Sequence, residues 1–166
     1  MPGSCVSIRV FPGRGRYDRT LMLRLPRDLH LQMVAHCISG LPDEACGLLA
    51  GDASRGTVAR LYPTRNAAAS ARVYSVDSRD LLQADRDAER SGTQLIGVFH
   101  SHTHTDAYPS PTDVEQAPDP DWHYVVVSLR DTHPVVRSYR IAGGSIEEES
   151  VVVLGEPVHA GAGATA

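Results

Sequence analysis

The stretch QLIGVFHSHTHTDAYPSPTD, residues 94–113, decides how the rest of the chain is read. Its first six residues form an apolar run with the length and composition of a buried strand. The run ends at His100, and residues 101–111 read as a polar loop. In extended backbone, residues i and i+2 point to the same side. His100 and His102 therefore present their rings to one point at the end of the strand. Imidazole is the commonest metal ligand. Two His, one carboxylate and a water in the fourth position make a catalytic zinc site. Two carboxylates follow, Asp106 and Asp113. Asp106 sits mid-loop. Asp113 follows Pro-Ser-Pro-Thr, a helix-start sequence, and residues 112–116 begin a short helix. A helix start holds its side chains more rigidly than a loop tip, so Asp113 is the expected third ligand.

Working outward, the elements alternate. Residues 45–51 (ACGLLAG) read as a buried strand, with 57–62 as its antiparallel neighbour. Residues 72–76 read as a short strand. Asp77 or Ser78 caps a helix running to about Arg90, with Leu81, Leu82 and Ala88 on its apolar side. Residues 21–25 read as a strand. Pro26 opens a helix to about Ser39, with Leu29, Met33, Val34 and Cys37 on one face. Gly40 and Pro42 stop it. Beyond the quoted stretch, residues 124–129 and 135–141 are strands, and 151–154 a short last one. The pattern predicts a single α/β domain over residues 20–154, a sheet with two main helices. Residues 1–19 are expected to be a loosely ordered leader. Residues 155–166 (GEPVHAGAGATA) are expected to be a flexible tail.

Composition narrows the function. The chain has 166 residues, one domain's worth on the usual scale of about 100–200. Its 42% hydrophobic residues suffice for one core. The net charge of −4 argues against a nucleic-acid partner, which would call for a basic excess. No run approaches the roughly 18 apolar residues of a membrane span. Arg9, Arg14, Arg16 and Asp18 interrupt any signal-peptide pattern. Cys5, Cys37 and Cys46 form no CxxC, so neither a disulfide framework nor a thiolate zinc site is expected. A reducing cytoplasm fits best. All 16 basic residues are Arg, which excludes lysine chemistry and leaves bidentate Arg for any carboxylate-binding site.

Several HxH families fail on the letters. Metallo-β-lactamase-like hydrolases need Asp-His where His104 and Thr105 stand. Cupins need a Glu where Asp106 and Ala107 lie. Zinc nucleobase deaminases need HxE and PCxxC, and neither occurs. Amidohydrolase barrels need about 250 residues. By contrast, Glu44, His100, Ser101, His102, Ser110 and Asp113 resemble the JAMM (MPN+) metalloprotease signature. That signature is an upstream Glu, then His-Ser/Thr-His, seven residues, Ser, two residues, Asp; residues 103–109 supply the seven here. The segment PDEACGLLAG, residues 42–51, is similar to the family's first motif. Thr103 stands where the family usually has Pro. The resemblance spans roughly residues 21–153.

The resemblance implies a mixed β-sheet flanked by helices, similar to the cytidine-deaminase sandwich. It implies one zinc ion held by His100, His102 and Asp113, which lowers the pKa of its water toward about 7. Glu44 is implied as general base and acid, and Ser110 as donor to the oxyanion. The loop variant is similar to small bacterial members that act on ubiquitin-like (β-grasp) sulfur-carrier proteins ending in Gly-Gly. These hydrolyse the amide at that C-terminal Gly and release cysteine. Trimming of extra carrier residues is the alternative, and a non-catalytic MPN interaction module a further one. A homodimer is left open.

The remaining candidates have plainer readings. Ser101 points away from the ligands and is expected to support them. His104 lies in the loop and is not expected to bind metal. Cys46, Trp122 and Tyr124 read as core. Tyr108, in the loop, is a candidate substrate contact. His123 and His133 show no partner spacing and read as structural. The segment 64–75 (TRNAAASARVYS) reads as a mobile flap, where Arg65 or Arg72 would meet acids of the carrier or the cysteine carboxylate.

Overall fold

Seven strands carry the described part of the molecule, residues 22–155 of the computed structural model. The expected leader and all but the first residue of the expected tail lie outside it. β1 (Met22–Pro26) leads directly into α1 (Arg27–Ser39); β2 (Cys46–Asp52) and β3 (Thr57–Thr64) form a hairpin. α2 (Ser78–Arg90) precedes β4 (Gln94–His102), and α3 (Pro111–Glu115) precedes β5 (His123–Ser128). β6 (Val135–Ala142) and β7 (Ser145–Leu154) complete an antiparallel meander with β5. The order is β1-β3-β2-β4-β5-β6-β7, and the sheet closes on itself. Closure rests on five parallel pairs between β1 and β7 and on the single pair Arg24↔Thr57 between β1 and β3.

The two longer helices each cover one apolar cluster. α1 buries Met33 and Cys37, with Leu29 and Val34 beside them, against Leu23, Leu25, Leu49 and Phe99. That is the face its 3.6-residue period predicts. α2 is capped by the Asp77 carboxylate, which accepts from the amides of Arg79 and Asp80 at 2.9 and 3.2 Å. Its inner stripe is Leu81, Ala84 and Ala88; Leu82, expected inside, is 50% exposed. Leu82 falls about 100° round the helix from Leu81, off the i, i+3, i+7 line.

The register of β4 sets the site. β2 runs antiparallel to it, with Cys46 opposite His100 and Gly47 opposite Phe99. A Cβ on Gly47 would lie 2.3 Å from the Phe99 ring and 2.5 Å from the Tyr62 carbonyl, so only glycine permits this approach. Continuing the pairing, the Ser101 amide donates to the Ala45 carbonyl at 2.9 Å, which brings Glu44 level with His102. β5 runs parallel to β4 from Gly97↔His123 to His102↔Ser128.

Two expectations need correction. Residues 72–76 form no strand. Asn66 and Val76 share one isolated bridge, and the intervening backbone bonds to the Asn66 side chain instead of to a neighbouring strand. β7 is ten residues long, not four. Its acidic stretch Glu147–Glu149 disguised it, because Glu149 turns inward and is neutralised there. The Glu149 carboxylate accepts from His123 Nδ1 at 2.6 Å, Ser138 Oγ at 2.6 Å and Arg140 Nε at 3.1 Å. Arg140 Nη2, which can only donate, lies 3.0 Å from His123 Nε2. His123 is therefore the neutral Nδ1–H tautomer, with a partner 26 residues away.

Burial opposes ionisation of Glu149, but His123, Ser138 and Arg140 outweigh it and hold its pKa below the ordinary value of 4.5. A depressed carboxylate contributes stability above its unfolded pKa, lost as pH falls through the folded one. Glu149→Ala leaves buried His123 and Ser138 without their acceptor and half-buried Arg140 without its carboxylate, and is expected to cost about 1–3 kcal/mol or more at pH 7. The gap to wild type should narrow on acidification below about pH 4.5. Urea unfolding at neutral and acid pH measures both. Equal stability of the two proteins at pH 7 refutes the assignment.

Candidate metal centre

The two histidines meet as the strand alternation requires. His100 Nε2 and His102 Nε2 lie 3.1 Å apart, and each is 3.4 Å from Asp113 Oδ2. All three residues are buried. Ligands at zinc's usual distances of about 2.0–2.1 Å in a tetrahedron stand roughly 3.3–3.4 Å from one another. The triangle of donor atoms is thus close to one face of that tetrahedron, and the donor set fits the ion. His104 is exposed and stands outside the group.

Each of these three residues is held by its neighbours. His102 Nδ1 donates to the Asp106 carbonyl at 2.9 Å, with Thr105 Oγ1 at 3.0 Å, which leaves the Nε2 lone pair facing the site. Asp106 contributes that carbonyl, while its carboxylate pairs with Arg130. Asp113 occupies the third position of α3 in a reciprocal cap. Its carboxylate accepts the Ser110 amide at 2.7 Å, and its amide donates to Ser110 Oγ at 3.2 Å. Burial works against the Asp113 charge, but both imidazoles and the Ser110 amide hold its pKa well below the usual carboxylate range. Burial lowers the pKa of His100 and favours its neutral form. The Tyr74 ring stacks on it at 4.2 Å and 17°.

Glu44 is buried beside this group. Its amide donates to the Ser70 carbonyl at 2.9 Å, and its carbonyl accepts from Asn66 Nδ2 at 2.8 Å. The next amide, Ala45, donates to Ser101 Oγ at 2.8 Å, which is the support expected of Ser101. Burial pushes the Glu44 pKa up to about 7, with His102 opposing the shift and Asp113 adding to it. A carboxyl there can take and return a proton near neutrality. Cys46 bonds to Thr64 Oγ1, and burial raises its thiol pKa, so it is core and no nucleophile.

Residues 65–76 are a strap rather than a mobile flap. Besides the Asn66 and Ser70 bonds to Glu44, the Ala71 carbonyl accepts from Thr103 Oγ1 at 3.2 Å. Thr103 can make that bond, whereas a proline at its position could not. Arg65 is committed to Asp77 and Asp80 at 2.9 and 3.1 Å, while Arg72 is exposed. Tyr108 is 56% exposed and packs edge-on against Tyr139. Tyr124 is buried and Trp122 half-buried, as expected of core residues. Sequence reasoning missed Asn66, Tyr74 and Thr105, whose roles depend on contacts that no local spacing announces.

The profile of prokaryotic homologs of the JAB domain matches residues 26–142. The chain belongs to the prokaryotic JAB-domain family. A CysO-cysteine peptidase of Mycobacterium tuberculosis is 45% identical over 140 residues, covering 84% of this chain and 96% of the relative. A desampylase of Haloferax volcanii is 35% identical over 111 residues, 64% of this chain and 80% of its own. The solution structure of a Desulfitobacterium hafniense protein superposes with a TM-score of 0.75 at 36% identity, covering 84% of this chain and 97% of that one. This JAB-domain protein is a JAMM-type metallopeptidase, and its mixed sheet with helices has the family fold. Among the described residues, no helix is long and apolar enough to cross a membrane.

Proposed function

We propose that this protein hydrolyses the amide bond joining cysteine to the C-terminal Gly of a ubiquitin-like sulfur carrier, in the cytoplasm, with one zinc ion per chain. The observation that carries the reading is the buried His100–His102–Asp113 triangle with Glu44 level with His102. The 45% identity to a CysO-cysteine peptidase supports the substrate class. Zinc held by these three residues supplies Lewis acidity and an acidified water. Glu44 takes the proton of the attacking water and passes it to the leaving amine. Ser110 Oγ accepts the Asp113 amide, which leaves the hydroxyl proton free to donate to the developing oxyanion. Mass spectrometry of a carrier–cysteine adduct incubated with the zinc-loaded protein tests the reading. Loss of one cysteinyl residue, abolished by chelation, is expected; an unchanged adduct defeats it.

Arg72 is an exposed residue of the strap that lies over the Glu44 and His100 backbone neighbourhood. Its neighbours Ser70, Ala71 and Tyr74 touch Glu44, Thr103 and His100. Of the two arginines on the strap, Arg72 is the one not paired to Asp77 or Asp80. We assign it to the free α-carboxylate of the departing cysteine. Arg72→Ala should raise KM about 10-fold or more, the weight of a charge-assisted hydrogen bond. An adduct ending in a carboxamide should show no such difference between wild type and variant. If both adducts lose equally, Arg72 does not read the carboxylate.

A further inference from the structure

The two histidines are held in different ways. His102 has two oxygen partners on its outer nitrogen. His100 Nδ1 is buried and, among the described residues, has no hydrogen-bond partner. A ligand imidazole usually fixes its ring plane by donating that second N–H to an acceptor. Among the described residues, no acceptor of that kind orients His100. The Tyr74 ring lies nearly parallel to it instead, 4.2 Å away and tilted by 17°.

Tyr74 is itself fixed on both sides by one side chain. Asn66 Nδ2 donates to the Val73 carbonyl at 3.2 Å, and Asn66 Oδ1 accepts the Ser75 amide at 3.0 Å. The Ala67 amide adds a bond to the Ser75 carbonyl at 2.7 Å. The same Asn66 Nδ2 reaches the Glu44 carbonyl at 2.8 Å. One carboxamide therefore sets the stacked ring and the backbone of Glu44 together.

We propose that Tyr74, clamped by Asn66, is a positioning residue that fixes the ring plane of His100 by stacking, where His102 is fixed by hydrogen bonds. A flat ring in van der Waals contact restricts rotation about the imidazole's last torsion, which is otherwise broad. Holding a donor atom at its place on the triangle strengthens metal binding as an outer hydrogen bond does. The stacking face does this work, and the phenol hydroxyl does not.

The inference rests on the reading of His100 as a metal ligand, and the test separates the two. Zinc affinity is measured by competition with a chelator on apo protein, alongside the visible spectrum of the cobalt(II)-substituted form. Wild type binding no metal defeats the ligand reading itself. With wild type binding, Tyr74→Phe should match it within about twofold and keep the cobalt spectrum. Tyr74→Leu fills the space without a stacking face and should weaken zinc about 10-fold or more, the usual effect of losing an outer partner. Its cobalt bands should broaden or shift while apo Tm stays near wild type. Tyr74→Leu with wild-type affinity and spectrum overturns the proposal. So does Tyr74→Phe losing as much as Tyr74→Leu, because the hydroxyl would then be the active part. A Tyr74→Leu protein that loses affinity only together with apo Tm overturns it as well.

Discussion

Glu44→Gln is expected to retain zinc and fold while kcat falls by about 10²–10⁴-fold. Gln is nearly isosteric with Glu and makes the same backbone bonds to Ser70 and Asn66. It cannot accept a proton. The exchange leaves His100, His102 and Asp113 untouched, so on the proposed function the variant should bind an uncleaved adduct and hold it. Zinc stoichiometry, adduct affinity and turnover on one preparation separate the possibilities. A variant that lost its zinc would make Glu44 a ligand. One with near-normal turnover would hand the base role to another group.

Asp113→Asn is expected to remove both metal and activity, with zinc binding weakened by at least about 100-fold, beyond what the loss of an outer partner costs. Asparagine keeps the volume and an oxygen that can still accept the Ser110 amide, so α3 retains most of its cap. What disappears is the charge that draws the cation. His104→Ala supplies the contrast, because that exposed ring stands outside the triangle and its loss should leave zinc content and rate unchanged. Metal analysis of the two variants side by side decides the ligand set. A zinc-replete Asp113→Asn beside a zinc-free His104→Ala would reverse it.

What the sequence disclosed about this site was what lies close along the chain. His100 and His102 are two apart, and alternation alone turns both rings to one side. Ser110 and Asp113 are three apart, and their reciprocal cap is a local motif. Glu44 became readable only through the resemblance to the JAMM signature and its first motif, since a strand pairing brings it level with His102. The inward turn of Glu149 was hidden because its partners His123, Ser138 and Arg140 come from two other strands. An acid in the run Glu147–Glu149 reads as solvated until those partners are known. The strap was misread for the opposite reason. Its Ala-rich, polar letters suggest mobility, but a single carboxamide, Asn66, satisfies much of its backbone.

The parallel pairing of β4 and β5 gives the molecule two unlike ends. His102 lies level with Ser128, while the β6–β7 turn leaves beyond the level of His123. At about 3.3 Å per residue, that turn stands roughly 20 Å from the level of His102. It consists of Gly143 and Gly144, both with positive φ, and a Cβ on either would meet nothing within 4 Å. This is where the molecule can be grasped. An affinity handle, a fluorophore or a surface tether spliced into that hairpin would hold the protein by its back, with the end that carries His100, His102 and Asp113 still presented to a partner as large as another folded domain.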